Sequence, residues 1–127
     1  MAVLFIEKTE NGPEINFNSD NSLFTIRGES APENARLIYF PVLEWLENNK
    51  KELISKNPLS IRFSYDYLNS ISLKYVYDLL KKLENFSENG CKVEVIWDYM
   101  KDDDEMKENG EEFKRLLKLD FNIIERA

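Results

Sequence analysis

The sequence predicts an α/β fold with a single mixed β-sheet. An N-terminal antiparallel hairpin adjoins a parallel βαβαβ portion, in the order β-β-β-α-β-α-β-α-β with three main helices. Three observations predict it. The first third of the chain holds short period-two segments separated by turn residues. From residue 59 onward, strand-like and helix-like patterns alternate, which implies parallel strands joined by right-handed crossovers. Each change of pattern coincides with Gly, Pro, Asn or Asp. At 127 residues the chain suits one domain spanning 1–127, large enough to bury a core without staples. The helices are expected mainly on one side of the sheet.

Val3-Leu4-Phe5-Ile6 reads as a first strand, followed by the turn Glu10-Asn11-Gly12-Pro13. Ile15 and Phe17 alternate with polar neighbours over 14–17, and Leu23 and Ile26 do so more loosely over 23–27, where Phe24 intrudes. Between them Asn18-Ser19-Asp20-Asn21 has turn chemistry, so the two segments form a hairpin that Gly28 ends. Ser30-Ala31-Pro32-Glu33 has the spacing of a capping box, with Ser30 as the cap. The helix after it carries Leu37, Ile38, Val42, Trp45 and Leu46, and Pro41 should bend or interrupt it. Beyond the Lys56-Asn57-Pro58 turn, Leu59, Ile61, Phe63 and Tyr65 alternate with polar residues as a strand over 59–65. A helix follows over about 70–86, with Val76, Leu79, Leu80 and Leu83 on one face and Asn89-Gly90 as its stop. Val93, Val95 and Trp97 mark the next strand, and Asp102-Asp103-Asp104-Glu105 opens a third helix carrying Met106, Phe113, Leu116 and Leu117, with Gly110 as a weak point. A short strand over 121–125 closes the chain.

Composition excludes several kinds of function. The chain has no histidine, which removes the commonest metal ligand and acid–base catalyst. A single cysteine, Cys91, rules out an internal disulfide and a Cys-based zinc site, and suits a reducing compartment. Net charge is −7 with no basic stripe, so nucleic acid is not an expected partner. The opening run is too short for a signal peptide and lacks a basic front. The longest uncharged apolar run, 37–43, contains Pro41 and is too short for a membrane span. A cytoplasmic protein with no membrane partner is expected.

Ser70 is the leading candidate for a functional residue. Asn69 is a good N-cap, which puts Ser70 at the first helical position and Ser72 at the third. A phosphate on Ser70 would meet backbone N–H groups with no intrahelical partner and the positive end of the helix dipole. Lys74, four residues on, could add a weak ion pair. Asn69, Ile71, Ser72 and Lys74 are the expected partner-binding surface around it, and some of Tyr65, Tyr67, Tyr75 and Tyr77 could extend it. From spacing alone a second reading stands beside this one: Asn69 and the serines simply cap a helix, in a constitutive interaction scaffold. The acidic cluster 102–105 raises a third, a small metal-dependent enzyme. Its spacing is not that of a calcium loop, however, and four acids at a helix start suit capping. Glu33, Glu44 and Glu47 fall on a probable helix with no nucleophile or oxyanion donor nearby in sequence, so an exposed face accounts for them. No cofactor is expected.

Five segments in one order resemble the SiaC-like regulatory phosphoproteins, a bacterial family long carried as a domain of unknown function. They are Gly28-Glu29-Ser30-Ala31-Pro32-Glu33-Asn34; Tyr39-Phe40-Pro41 with Trp45-Leu46; Tyr67-Leu68-Asn69-Ser70-Ile71-Ser72-Leu73-Lys74; Val95-Ile96-Trp97-Asp98-Tyr99; and Asp104-Glu105-Met106-Lys107-Glu108-Asn109-Gly110-Glu111-Glu112-Phe113. The resemblance covers about 13–125. It implies a STAS-like fold, built like an anti-sigma-factor antagonist, and a non-enzymatic partner-switching role. It also implies phosphorylation of Ser70, the hydroxyl residue just after the motif's Asn. The kinase would be a Ser/Thr kinase of the histidine-kinase-like ATPase fold and the phosphatase a metal-dependent PP2C-type enzyme. In some such systems the unphosphorylated form activates a diguanylate cyclase, linking the switch to biofilm. Ser70 stands where Thr is more usual. Ordinary anti-sigma-factor antagonists carry Asp-Ser-x-Gly at this turn, whereas here Asn69 replaces Asp and the Gly is missing.

Overall fold

The computed structural model describes residues 2–21 and 23–126; Met1 of the opening run and Ala127 at the end of the expected domain lie outside them. The strands are β1 (Val3–Ile6), β2 (Glu14–Asn18), β3 (Leu23–Ser30), β4 (Leu59–Leu68), β5 (Val93–Tyr99) and β6 (Asp120–Glu125). The helices are α1 (Arg36–Asn48), α2 (Lys50–Ser55), α3 (Ser70–Glu88) and α4 (Asp104–Leu116). The strands form one sheet in the order β1-β2-β3-β4-β5-β6. Pairing is antiparallel from β1 to β3 and parallel from β3 to β6, as the sequence pattern predicts.

Because each crossover after β3 steps in the same direction, right-handed connections put every crossover helix on one side. Period-two alternation then separates the two sheet faces. Ile15, Ile26, Phe63 and Trp97 share one register row and are fully buried. They pack with Tyr39, Val42 and Leu46 of α1, Val76, Leu79, Leu80 and Leu83 of α3, and Met106 and Phe113 of α4 in one continuous core. The opposite face carries Asn16, Thr25, Arg62, Ile96 and Asn122 across neighbouring strands, and among the described residues no helix lies over it.

The structure corrects several local readings. Ser30 caps no helix. It is the last residue of β3, paired with Leu68 and fully buried, and α1 starts later, after Ala35, with no side-chain cap. Glu33 therefore precedes the helix. Gly28 does not end β3: at φ +108° it accommodates a bulge between Gly28 and Glu29, and the strand resumes to Ser30. Pro41 neither ends nor interrupts α1; both it and Leu37, whose carbonyl it deprives of a donor, are exposed, so water can serve that carbonyl. The residues after Asn49 form a further short helix, α2, that the sequence reading lacks, and the chain then turns at Lys56-Asn57-Pro58 as expected. β4 runs on to Leu68, three residues beyond its predicted end, and this extension delivers the chain to Asn69.

Gly110 is a close-packing position, not a weak point. A Cβ there would lie 2.5 Å from Cδ1 of Trp97, whose indole N–H donates to the carbonyl of Met106 at 2.9 Å. Glycine lets α4 lie directly on the Trp97 ring. Gly110→Ala is therefore expected to lower unfolding free energy by about 1–3 kcal/mol in urea melts, against the small gain that better helix propensity alone would give.

On the helix-free face Asp98 is almost completely buried and accepts from Ser64, Arg62 and Arg126. Burial by itself raises its pKa, yet the hydrogen bonds from Ser64, Arg126 and Arg62 and the Arg126 charge together outweigh it, leaving the group below the ordinary carboxylate range. A lowered native pKa stabilises the fold above the unfolded carboxylate pKa, and that contribution disappears as pH falls through the native value. Chemical denaturation between about pH 5 and 2 should therefore show a steeper loss of stability for the native chain than for Asp98→Asn.

The candidate regulatory site at the start of the third helix

β3, β4 and β5 end on the same edge of the sheet, and α1, α3 and α4 begin there. In open α/β sheets the carboxyl ends of the strands are a common place for functional residues, although the sequential order of this sheet offers no topological switch point. Ser70 lies on it as the first residue of α3. Asn69 is the N-cap, in extended conformation, and its Oδ1 accepts the Ser72 N–H at 2.9 Å. Ser70 is exposed, and among the described residues its hydroxyl has no hydrogen-bond partner.

The turn beneath Ser70 is pinned by a chain of buried hydroxyls. Ser30 Oγ donates to Ser72 Oγ at 2.9 Å. Tyr39 Oη lies 2.6 Å from Ser30 Oγ and 3.0 Å from Tyr65 Oη. With one proton per hydroxyl, the pattern that satisfies every link runs from Tyr65 to Tyr39 to Ser30 to Ser72. Burial raises the phenol pKa of Tyr39 and lifts that of Tyr65 further, the nearby Tyr39 adding to the latter. Both phenols stay neutral and remain donors at physiological pH. The backbone joins in: the Asn69 N–H donates to the Ser30 carbonyl at 3.0 Å, and Asn69 Nδ2 reaches the Pro32 carbonyl at 3.4 Å. The ends of β3 and β4, the body of α1 and the first turn of α3 are thus tied together.

The expected surface residues separate accordingly. Ile71 and Lys74 are exposed with Ser70, and Asn69 is half-buried. Ser72 is not a surface residue: it is fully buried with its hydroxyl committed to Ser30, because the third helical position turns inward over the sheet. Lys74 lies over the Tyr75 ring, 5.3 Å from its centroid. Of the four tyrosines only Tyr67 is exposed. Tyr65 is in the core, Tyr75 stacks on Tyr39 and Tyr77 on Phe113. Exposed Tyr67 and Ile71 give this edge an apolar component on either side of Ser70.

The acidic cluster has a local explanation. Asp103 caps α4, accepting the Met106 N–H at 3.1 Å, while Asp104 and Glu105 occupy its first turn. Asp102 adopts φ +72° in the tight turn before it. Among the described residues no three His, Cys, Asp or Glu side chains are grouped to hold a metal ion. Glu44 and Glu47 are exposed, and Glu47 pairs with Lys82. No helix among the described residues is long and apolar enough to cross a membrane.

Ser70 is thus an exposed hydroxyl without a partner among the described residues, on a helix start held by buried hydrogen bonds and beside exposed Tyr67 and Ile71. The comparisons give its family: residues 6–126 match the SiaC family regulatory phosphoproteins, and the chain belongs to that family. It is 28% identical over 123 residues to an uncharacterised protein of Pseudomonas aeruginosa strain UCBPP-PA14, covering 97% of this chain and 96% of that one. Among solved structures, SiaC of Pseudomonas aeruginosa superposes with a TM-score of 0.85 at 27% identity, over 99% of this chain and 100% of that one. The structure of diguanylate cyclase SiaD in complex with its activator SiaC, from the same organism, matches with a TM-score of 0.88 at 28% identity, over 97% and 99% of the two chains.

The geometry separates the capping residue Asn69 from the exposed Ser70. Asn69→Ala is expected to lose about 1 kcal/mol of stability through the missing cap. Ser70→Ala should stay within about 0.5 kcal/mol of the native chain. Thermal and urea melts of the two variants check this, and equal losses would mean that Ser70 has a structural role.

Proposed function

We propose that this chain is a non-catalytic switch protein of the cytoplasm, acting as one domain, whose Ser70 is phosphorylated and dephosphorylated by other proteins. The writer is a Ser/Thr kinase of the histidine-kinase-like ATPase fold and the eraser a PP2C-type phosphatase. The unphosphorylated form binds and activates a diguanylate cyclase. The observation that carries this reading is the exposed Ser70 at the capped start of α3, in a chain of the SiaC family. The SiaD–SiaC complex supports the cyclase as the downstream class of partner.

Magnitudes decide how the switch operates. A phosphate at this helix start gains about 0.3–1 kcal/mol from the dipole when exposed. A domain of this size is stable by about 5–15 kcal/mol. Phosphorylation therefore does not refold the protein; it changes what the surface can bury. A partner that covers Ile71 and Tyr67 must also desolvate the neighbouring Ser70. Unmodified, that residue costs little to cover. As a dianion it costs several kcal/mol unless the partner supplies a cation. The same strand end carries Asp66, and the start of α4 carries Asp103 and Glu105 around a small cavity next to Tyr67. These carboxylates deepen the penalty, so phosphorylation releases the cyclase.

The test is binding to the cognate cyclase by calorimetry. Ser70→Ala should bind like the unmodified chain and stay bound after kinase treatment. Ser70→Asp should bind at least about tenfold more weakly, about 1.4 kcal/mol, and imitate phosphate only in part because it carries less charge and fewer oxygens. Identical affinities for both variants would instead support a constitutive scaffold in which Asn69 and Ser72 only shape the helix start.

A further inference from the structure

The helix-free face of the sheet holds a cleft of about 490 Å³, within the range of small-ligand sites. In a chain of net charge −7 this cleft carries more cations than anions: Lys8, Arg27, Arg62 and Arg126 against Glu14, Asp66 and Asp98. The carboxylates are all engaged. Arg126 spends its three guanidinium nitrogens on Asp98, Asp66 and the Tyr65 carbonyl. Arg62 and Arg27 are held differently. Each uses only Nε, on Asp98 at 2.8 Å and on Glu14 at 3.0 Å respectively. Their terminal amines have no protein partner among the described residues, and neither does the Lys8 ammonium. The nearly buried Asp98 fixes Arg62 from below, so its fork is oriented before any ligand arrives. Gly28 forms part of the wall without a side chain, at a φ of +108° that favours glycine.

We infer that this cleft is an anion-binding site, separate from Ser70, that takes the phosphoryl group of a small molecule between Arg27, Arg62 and Lys8. Two forks with free amines and one ammonium offer more donors than a carboxylate can accept, whereas the three anionic oxygens of a phosphoryl group can give one acceptor to each of the three side chains. The shared chemistry is the phosphoryl group, borne either by free phosphate or by a phosphomonoester. The site is independent of the switch reading and stands or falls without it.

Titrating the isotopically labelled chain with inorganic phosphate, and in parallel with glycerol 2-phosphate, tests the site by amide chemical shifts. Saturable shifts centred on Gly28, Arg62 and Ser64 are expected, absent with chloride at matched ionic strength. Tighter binding of the ester would identify a phosphomonoester ligand, and tighter binding of phosphate the free ion. Arg27→Gln and Lys8→Gln, both at exposed positions, should each weaken binding about tenfold, while Lys107→Gln on α4 leaves it unchanged. Shifts that never saturate, that centre on the amides of 70–72 instead, or that survive both cleft substitutions would overturn the proposal.

Discussion

The contact on which the carboxyl edge of the sheet depends is the hydroxyl chain that ends at Ser72. Without it, the first turn of α3 would be tied to the sheet edge only through Asn69, by its cap and its bonds to the Ser30 and Pro32 carbonyls. With it, four segments distant in sequence converge beneath one exposed residue: Ser30 at the end of β3, Tyr39 in α1, Tyr65 in β4 and Ser72 in α3. Each hydroxyl in such a buried chain is costly to leave unsatisfied, so the network specifies one arrangement. Rigidity of this kind suits a site read by a foreign active site, which must find the hydroxyl in a fixed place.

That network also gives a physical meaning to the motif residues that carry the family likeness. Ser30 belongs to the first motif, Tyr39 to the second, Asn69 and Ser72 to the third. Trp97 and Gly110, in the fourth and fifth, form the close contact that seats α4. Four of these five segments meet at the carboxyl edge through hydrogen bonds or through the starts of α3 and α4. Charge is distributed to match. The edge around Tyr67 is acidic and partly apolar, whereas the far face of the sheet gathers Arg27, Arg62 and Arg126.

Much of this architecture was legible in the sequence because it follows from periodicity. Alternating Leu59, Ile61, Phe63 and Tyr65, and the three-to-four spacing of Val76, Leu79, Leu80 and Leu83, leave little choice of element or face. The cap at Asn69 was legible because capping is a local interaction. What stayed hidden depends on distant partners. Ser30 has the spacing of a capping residue, and only its pairing with Leu68 and its bond to Ser72 show that it belongs to β3. Ser72 looks like a surface neighbour of Ser70 until the helix phase turns it into the core. Gly110 has a poor helix propensity that the Trp97 ring overrides. The Arg62–Asp98–Arg126 cluster is spread over residues 62–126 and has no local signature at all.

The most direct test of the account is phosphosite mapping by mass spectrometry after incubation of the folded chain with its cognate kinase. The account predicts a single phosphate, on Ser70, with Ser72 unmodified because its oxygen is sealed beneath α3. A phosphate on Ser72, or a chain that emerges unmodified at Ser70, would contradict it.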